Sequence, residues 1–358
     1  METPDLIRAR ESCSQSCSTQ GVTLMKAVLL ENISPISASP LRYVEVPAPK
    51  PGPHEVRVKV HCCAICRTDL HVIEGDLPRH TLPIIPGHQI VGVVDQLGPK
   101  CESLTLGRRV GIAWLRHTCG ACTYCARGRE NLCESSRYTG YHANGGYAEY
   151  AVVHEDFAYP IPDAFTDVEA APLLCAGIIG YRALRRANVP ENGVLALYGF
   201  GSSAHVVFQI AKRRGCKIFV VSRGGEHQQL AREMGADWAG DDPAQMPEKA
   251  DSAIIFAPAG SLVPPALKAL RKGGTLALAG IHMTDIPALN YEDHLFYERD
   301  IHSVTANTRD DGRNLLLEAA AIPVRPHTTT YPLPHANQAL QDLKSDHIKG
   351  SGVLLIAD

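Results

Sequence analysis

The sequence predicts an α/β protein of two domains, in which a β-rich region precedes a doubly wound parallel sheet. Its 358 residues exceed the size at which one hydrophobic core usually stops growing. Up to about Cys175 the chain reads as short strands with little helical periodicity. Beyond Cys175 short apolar strands alternate with helical segments, a pattern that is typical of a parallel sheet.

The β-rich region begins at Met25. Residues 1–24 are polar and rich in serine, lack the apolar segment of a signal peptide, and are expected to form a flexible tail. The segments MKAVLLEN, RYVEVP and HEVRVKVHCCAIC follow, separated by Pro and Gly, and each is predicted to be a strand. The later segment GGYAEYAVV is predicted to form a pair of strands joined by a glycine turn.

Four cysteines, Cys119, Cys122, Cys125 and Cys133, are spaced C-x2-C-x2-C-x7-C in one turn-rich segment. Thiolates are the preferred ligands of closed zinc sites, and short spacings let a turn direct successive sulfurs at one ion about 2.3 Å away. The main alternative is an iron–sulfur cluster, but the bacterial ferredoxin run closes with three residues and a proline. Here seven residues intervene and Glu134 follows, so the spacing favours a structural zinc ion.

The second half contains four predicted strands, VLALYGF, KIFVVS, SAIIFAP and GTLALAG, which alternate with helical segments. IHSVTA, from Ile301, is predicted to be the last strand of this sheet. From Thr308 the chain contains one helical stretch, RDDGRNLLLEAA, and a closing strand, GVLLIAD, which we expect to return to the first domain.

A glycine motif follows the first of these strands directly. Gly199 permits a tight turn, Gly201 lets the backbone approach a pyrophosphate, and Ala204 is small enough for close packing of the helix on the strand. The helix N-terminus adds its dipole and free N–H groups. Such a motif alone is weak, but between a strand and a helix, with further strand and helix units behind it, it predicts a Rossmann dinucleotide site.

The residues at the end of the next strand bear on which dinucleotide is bound. A site that prefers NAD carries Asp or Glu there, whereas this chain has Ser222 and Arg223. A hydroxyl can donate to a 2′-phosphate and a guanidinium can pair with it. The sequence therefore favours NADP(H) over NAD(H), the alternative being that Arg223 is only a solvated surface charge.

Three residues far apart in the sequence are candidates for a second metal site: Cys66 in AICRTDLH, His88 in IPGHQI and Cys175 in LLCAG. Each alone is compatible with an ordinary buried thiol or imidazole. Together, two thiolates and one imidazole would leave the fourth position of a tetrahedral zinc ion open for substrate, which is the pattern of a catalytic site.

The order CRTDLH, PGHQ, C-x2-C-x2-C-x7-C, GGYAEYAV, LLCAG and GFGSSA resembles the zinc-dependent alcohol dehydrogenases of the medium-chain dehydrogenase/reductase superfamily, those of bacteria above all. The resemblance extends from Met25 to Asp358. It implies a GroES-like β-rich catalytic domain formed by residues 25–175 and 307–358, and a Rossmann domain formed by residues 176–306. The active site would lie in the cleft between them.

The resemblance also implies roles for individual residues. Cys66, His88 and Cys175 would bind a catalytic zinc ion, the second zinc ion of the chain. Thr68 would take the proton of the alcohol and pass it through the nicotinamide ribose hydroxyl to His71, whose imidazole can exchange it with solvent. Asp69 would orient His88, as metal-bound imidazoles usually require. Arg67 would contact the cofactor pyrophosphate.

The chain departs from the family pattern at two positions. The family commonly has Glu after the zinc-binding histidine, whereas this chain has Gln89, which would leave the zinc centre more positive. Near the C-terminus Ser351 stands where family members often place an arginine on the pyrophosphate.

Trp114 aligns with a residue that lines the substrate pocket in the family, where its indole would shorten the pocket and favour short primary alcohols or aldehydes. Ordinary core packing is the alternative for Trp114.

Composition limits the other functional classes. A net charge of −3 without a basic run argues against a zinc-ribbon protein that binds nucleic acid, and no apolar stretch is long enough to cross a membrane. Cysteines at metal spacing indicate a reducing, cytoplasmic location rather than a disulfide scaffold. The resemblance implies a small-molecule alcohol or aldehyde substrate and a homodimer or homotetramer. Two alternatives remain: the same fold acting on a polyol, sugar or aromatic aldehyde, and an NADPH-binding protein without turnover.

Overall fold

The computed structural model of the protein describes residues 23–78, 81–322 and 324–356. Most of the predicted N-terminal tail lies outside these ranges. The first strand begins at Leu24, one residue before the predicted start of the β-rich region.

The described residues form strands and helices that alternate as predicted in the second half of the chain. The strands are β1 Leu24–Leu30, β2 Leu41–Pro47, β3 Glu55–Ala64, β4 Ile90–Leu97, β5 Arg109–Ile112, β6 Leu115–His117, β7 Arg137–Tyr138, β8 Tyr150–His154, β9 Ala158–Pro160, β10 Val194–Tyr198, β11 Lys217–Val221, β12 Trp238–Gly240, β13 Ala250–Ile255, β14 Leu270–Leu278, β15 Asp300–Ser303, β16 Thr328–Pro332 and β17 Ser351–Leu355. The helices are α1 Arg67–Glu74, α2 Thr123–Ala126, α3 Asp167–Pro172, α4 Ile178–Ala187, α5 Ser202–Arg213, α6 Gly225–Glu233, α7 Val263–Lys268, α8 Tyr291–His294, α9 Arg309–Ala321 and α10 Ala336–Lys344.

Six parallel strands in the order β12-β11-β10-β13-β14-β15 form the sheet of the second half. Every residue of β10 is buried, and alternate side chains of this strand contribute to two hydrophobic clusters, one on each face. The order of the strands reverses between β10 and β13, so a crevice opens beyond the carboxyl end of β10. The prediction of a Rossmann doubly wound sheet is confirmed.

The other large sheet has the strand order β16-β17-β3-β4-β5-β9, with β8 paired to β3. The C-terminal strand β17 lies antiparallel to β3, with Leu354 opposite Cys63. The end of the chain therefore returns to the β-rich region, as predicted. Together the two sheets confirm the α/β class with a GroES-like β-rich domain.

Two local expectations differ from the structure. The sequence up to about Cys175 showed little helical periodicity, but α1 forms at Arg67 because Cys66 and Asp69 make a capping box, an arrangement that usually begins with Ser or Thr. GGYAEYAVV forms one strand, β8, rather than two. Its glycines bond instead to the preceding loop, where Gly145 N–H donates to Ile85 O at 2.7 Å and Gly146 N–H to Gly87 O at 3.0 Å.

Among the described residues, no helix combines the length and the apolar character that a membrane span requires.

Candidate active site

The structure brings Cys66, His88 and Cys175 together, and we call them the three-ligand set. Cys66 Sγ lies 3.2 Å from His88 Nε2 and 4.0 Å from Cys175 Sγ, and the donor atoms all lie within 4.8 Å of one another. Ligands of a tetrahedral zinc ion would be separated by about 3.6–3.8 Å, given zinc–nitrogen and zinc–sulfur distances of about 2.1 and 2.3 Å. The spacing of the donors therefore fits zinc with one position left for a further ligand.

Each ligand stands at an irregular point of the backbone. Cys66 is the N-cap of α1, and its sulfur accepts the N–H of Thr68 at 3.3 Å. His88 follows Gly87, whose positive φ of 94° is unfavourable for other residues. Cys175 lies in a π-helical turn, Leu173–Gly177, between α3 and α4. Such turns are rare and often mark functional sites.

A single carboxylate connects two members of the set. Asp69 is 1% exposed, accepts the Cys66 N–H at 2.8 Å with one oxygen, and lies 3.0 Å from His88 Nδ1 with the other. Because His88 Nε2 faces Cys66, the Nδ1–H is the group that donates to Asp69. This contact fixes the orientation of the ring and leaves Nε2 directed at the ligand set.

The same contacts control protonation in the set. The pKa of the Cys66 thiol lies well below its ordinary value because the Cys175 thiol donates to it and His88 is adjacent. Burial opposes the charged form of His88, but the Asp69 and Cys66 charges outweigh it and raise the pKa of His88 to about 10. These contacts favour the thiolate form of Cys66, which is the form in which a cysteine binds a metal cation.

Thr68 and His71 are three residues apart on α1 and lie on one face of this helix. Thr68 is 7% exposed, whereas His71 reaches the surface. His71 Nδ1 lies 2.8 Å from Asp76 Oδ2, and its ring centroid lies 6.0 Å from that of His282. Sequence reasoning missed Asp76 and His282, since neither belongs to a motif.

Gln89 and Trp114 both adjoin the three-ligand set. Gln89 is 1% exposed, and neither polar atom of its side chain has a hydrogen-bond partner among the described residues. The Trp114 ring meets the His88 ring edge-on, with centroids 5.0 Å apart. Trp114 therefore lies beside the candidate metal position rather than in a distant part of the core.

The glycine motif has the geometry of a dinucleotide site. Gly199 has a φ of +89°, and a Cβ on it would approach Ala257 N to 3.2 Å. A Cβ on Gly201 would meet nothing within 4 Å, so the space above the N-terminus of α5 is open. Ala204 is fully buried against the sheet. Next to this open end, Ser202 Oγ lies 2.5 Å from Ser351 Oγ, a contact that sequence reasoning did not find.

Ser222 and Arg223 follow β11 at the same edge of the sheet. Ser222 is 8% exposed, and its N–H donates to Gly240 O at 2.9 Å, which fixes its backbone. The exposed Arg223 side chain makes no ion pair with any described residue. Arg67, by contrast, is paired with Asp346, with Nη2 and Oδ1 2.5 Å apart. A phosphate at Arg67 would therefore compete with a carboxylate.

The segment from Cys119 to Cys133, called the cysteine lobe here, lies between β6 and β7. Its four sulfurs form a second group whose atoms lie within 4.8 Å of one another, with 3.5 Å between Cys122 and Cys125. The lobe contacts the chain beyond β15 through Glu130, which forms a bidentate pair with Arg309 at 2.7–3.1 Å. Four sulfurs at this spacing fit a closed tetrahedral zinc site.

Comparison with known proteins agrees with this geometry. Residues 52–163 match the alcohol dehydrogenase GroES-like domain, and residues 204–321 match the zinc-binding dehydrogenase domain. A probable alcohol dehydrogenase, AdhA, of Mycobacterium tuberculosis is 51% identical over 93% of this chain and 97% of its own length. An alcohol dehydrogenase of Geobacillus stearothermophilus is 36% identical over 93% of this chain and all of its own length.

Among solved structures, a cobalt- and zinc-bound thermostable alcohol dehydrogenase from Pyrobaculum aerophilum superposes with a TM-score of 0.84. It is 26% identical in sequence, and the superposition covers 93% of this chain and 100% of the Pyrobaculum chain. The two domain matches span most of the chain, and the relatives align along nearly all of it. The chain therefore belongs to the zinc-dependent alcohol dehydrogenases of the medium-chain dehydrogenase/reductase superfamily.

Proposed function

We propose that the protein interconverts short primary alcohols and aldehydes by hydride transfer to or from NADP(H). The observation that carries this proposal is the convergence of Cys66, His88 and Cys175 beside a helix that bears Thr68 and His71. The two thiols and the imidazole would hold a zinc ion and leave one position for the alcohol oxygen. Zinc bound there would supply a Lewis acid that favours ionisation of the alcohol, and the nicotinamide would supply the hydride acceptor.

The remaining steps belong to the chain's own side chains. The Thr68 hydroxyl, at the buried end of α1, accepts the proton that leaves the alcohol as it releases its own hydroxyl proton along the path to His71. His71, one turn further along, carries a proton towards solvent. Its Nδ1 contacts Asp76, so Nε2 is the nitrogen available for transfer. Asp69 contributes by holding His88 in one orientation.

The preference for NADP(H) is supported by the end of β11. Ser222 is held by its backbone, and the Arg223 guanidinium projects without an ion-pair partner among described residues, so it is available to a 2′-phosphate. The pyrophosphate would lie over the open N-terminus of α5, next to Gly201. Arg67 would join it by exchanging Asp346 for a phosphate oxygen.

The cysteine lobe supports a second, structural zinc ion, which gives two per chain. The described cysteines are all free thiols, and zinc–thiolate sites require reduced cysteines. We therefore propose a reducing compartment, the cytoplasm, as the location of the enzyme.

We propose that copies of the chain associate with one another along the β15 edge of the parallel sheet. Within the described part of the chain β15 pairs only with β14. Apolar side chains are exposed near this edge: Ile281, Ile286, Tyr291, Phe296 and Tyr297. An open edge flanked by apolar side chains is suited to a second copy of the chain, and light scattering of the purified protein would distinguish a dimer from a tetramer and a monomer.

The function is tested by initial rates with ethanol, butanol and benzyl alcohol and with the matching aldehydes, using NAD(H) and NADP(H). We expect turnover that phenanthroline abolishes and that is faster with NADP(H). Arg223→Ala should lower kcat/KM for NADP(H) at least about tenfold and leave kcat/KM for NAD(H) nearly unchanged. Equal losses with both cofactors would contradict the role of Arg223, and no turnover on any pair would contradict the proposed reaction.

A further inference from the structure

A stack of aromatic rings extends away from the three-ligand set. Trp114 meets His88 edge-on and lies nearly parallel to Tyr138, with ring centroids 4.9 Å apart and planes inclined by 13°. Tyr141 stacks less closely on the same indole, at 5.8 Å and 26°. The offset-stacked and edge-to-face arrangements are those that aromatic pairs prefer. The indole is thus held by contacts of both kinds.

The backbone on both sides of this stack is tied to the base of the cysteine lobe. Leu115 pairs with Tyr138 in the two-stranded sheet of β6 and β7, which joins the lobe to the rest of the domain. Thr139 N–H donates to Trp114 O at 2.9 Å, and Thr139 Oγ1 donates to Ala113 O at 2.8 Å. The main chain of Trp114 is therefore fixed by the segment that carries Tyr138.

The tyrosine ring is itself restrained. Ser136 Oγ donates to the Tyr138 hydroxyl at 2.9 Å, and the Tyr138 N–H donates to His142 Nδ1 at 3.2 Å. A side chain held at its hydroxyl and at its backbone offers Trp114 a rigid ring to lie against. Trp114, which is only partly buried, would otherwise be free to change rotamer.

We propose that Tyr138 is a positioning residue for substrate size, because it holds the Trp114 indole against His88 and so limits the length of the alcohol that the site accepts. This inference rests on the proposed function and on the expectation from the family resemblance that Trp114 lines the substrate pocket. Each methylene that a pocket accommodates or rejects changes kcat/KM by about 10- to 200-fold. A small movement of the indole would therefore change the chain-length profile far more than the chemical step.

The test compares Tyr138→Leu, which removes the ring, with Tyr138→Phe, which keeps it. Tyr124→Leu is the matched control, because Tyr124 is an exposed tyrosine of the cysteine lobe. All variants are checked for two zinc ions per chain and for the wild-type Tm. We expect the ratio of kcat/KM for hexanol to that for ethanol to rise at least about tenfold in Tyr138→Leu, to rise by less in Tyr138→Phe, which keeps the ring but loses the Ser136 contact, and to change less than about twofold in Tyr124→Leu.

A second readout follows the indole directly. The chain has two tryptophans, so Trp238→Phe leaves Trp114 as the single tryptophan, which can be excited selectively over the tyrosines. In that background Tyr138→Leu should shift Trp114 emission to longer wavelength and increase its quenching by acrylamide, and Tyr138→Phe should do so by less. If Tyr138→Leu fails to fold, Tyr138→Met serves in its place.

An unchanged chain-length ratio in a folded, zinc-loaded variant without the ring would overturn the proposal, as would unchanged Trp114 fluorescence. If the wild type oxidises no alcohol, the proposed function fails, and the fluorescence comparison alone then decides whether Tyr138 positions Trp114.

Discussion

The three-ligand set and the cysteine lobe differ in what surrounds their sulfur atoms. In the three-ligand set a buried carboxylate, Asp69, contacts both His88 and the backbone of Cys66. In the lobe the contacts come from the backbone, and the N–H groups of Ala121 and Cys122 lower the pKa of Cys119 to about 6. A buried side chain prepares one site, whereas the backbone of a local turn prepares the other.

The two sites also differ in how far their ligands are exposed to solvent. His88 is 1% exposed and Cys119 lies at the surface. A site that must bind and release a substrate depends on rigid outer contacts to keep three ligands in place while the fourth position exchanges. A closed site needs only its four ligands, and it contributes stability by fixing a segment that has little core of its own. We therefore expect substitutions in the three-ligand set to lower activity and substitutions in the cysteine lobe to lower stability.

The largest expected effect is a loss of activity without a loss of stability. Cys66→Ser should lower kcat/KM by at least about 10³-fold, since zinc contributes several kcal/mol to the transition state and each 1.36 kcal/mol is about tenfold. The Tm should change little and the zinc content should fall from two towards one. Steady-state kinetics with metal analysis checks this, and activity within tenfold of wild type would remove Cys66 from the reaction.

The second prediction is a loss of stability without a large loss of activity. Cys122→Ser should remove zinc from the lobe and lower the free energy of unfolding by more than about 3 kcal/mol, because metal binding and folding of the segment are coupled. Ethanol oxidation per folded molecule should remain within about tenfold of wild type. Denaturant unfolding and kinetics below the transition check both parts. If kcat/KM fell as far as in Cys66→Ser, the two sites would not be separable.

A third prediction concerns the outer contacts of the three-ligand set alone. Asp69→Asn keeps the size of the side chain but removes its charge, and it should weaken zinc binding at this set by about 10- to 100-fold. Competition with a chromophoric chelator measures this, with the exposed Asp163→Asn as the control. Two zinc ions of unchanged affinity in Asp69→Asn would show that the carboxylate does not support the metal.

The smallest expected effect concerns how the cysteine lobe is anchored. Glu130→Gln breaks the bidentate contact with Arg309 and should cost about 1–2 kcal/mol at pH 7. Burial works against the Glu130 carboxylate, but hydrogen bonds from Arg309 lower its pKa below the ordinary 4.5. A lowered folded pKa stabilises the protein above the unfolded pKa, and this stability is lost as pH falls through the folded value.

The difference in unfolding free energy between wild type and Glu130→Gln should therefore be constant from pH 6 to 8 and shrink in acid below about pH 4.5. Urea titrations across this range measure it. A difference that grew on acidification would contradict the assignment of the charge to Glu130.

How far the sequence predicts each region follows from the distances involved. The cysteine lobe and the glycine motif could be predicted because every participating residue lies within one short segment, where spacing alone limits the geometry. The three-ligand set spans Cys66 to Cys175, and no periodicity links its members. Their residue types alone made them candidates for a metal site, and the family resemblance then supplied the reason to place them together and to add Asp69.

The contacts that sequence reasoning missed are those between segments without a motif. Asp76 reaches His71 because α1 ends at Gly75 in a left-handed conformation, which turns the chain back towards the helix. Ser351 reaches Ser202 because β17 runs beside β3 and brings the C-terminal segment to the start of α5. Tyr138 meets Trp114 through the pairing of two very short strands, which no alternating pattern could indicate.

The most direct test of the account is a time course of chelation by phenanthroline in which native mass spectrometry counts zinc while alcohol oxidation is assayed on the same samples. We predict that the first zinc ion lost is that of Cys66, His88 and Cys175, that its loss abolishes turnover in proportion, and that the second ion remains with the fold intact. Full turnover in molecules that retain one zinc ion, or simultaneous loss of both ions with unfolding, would contradict the division of the two sites into one for chemistry and one for structure.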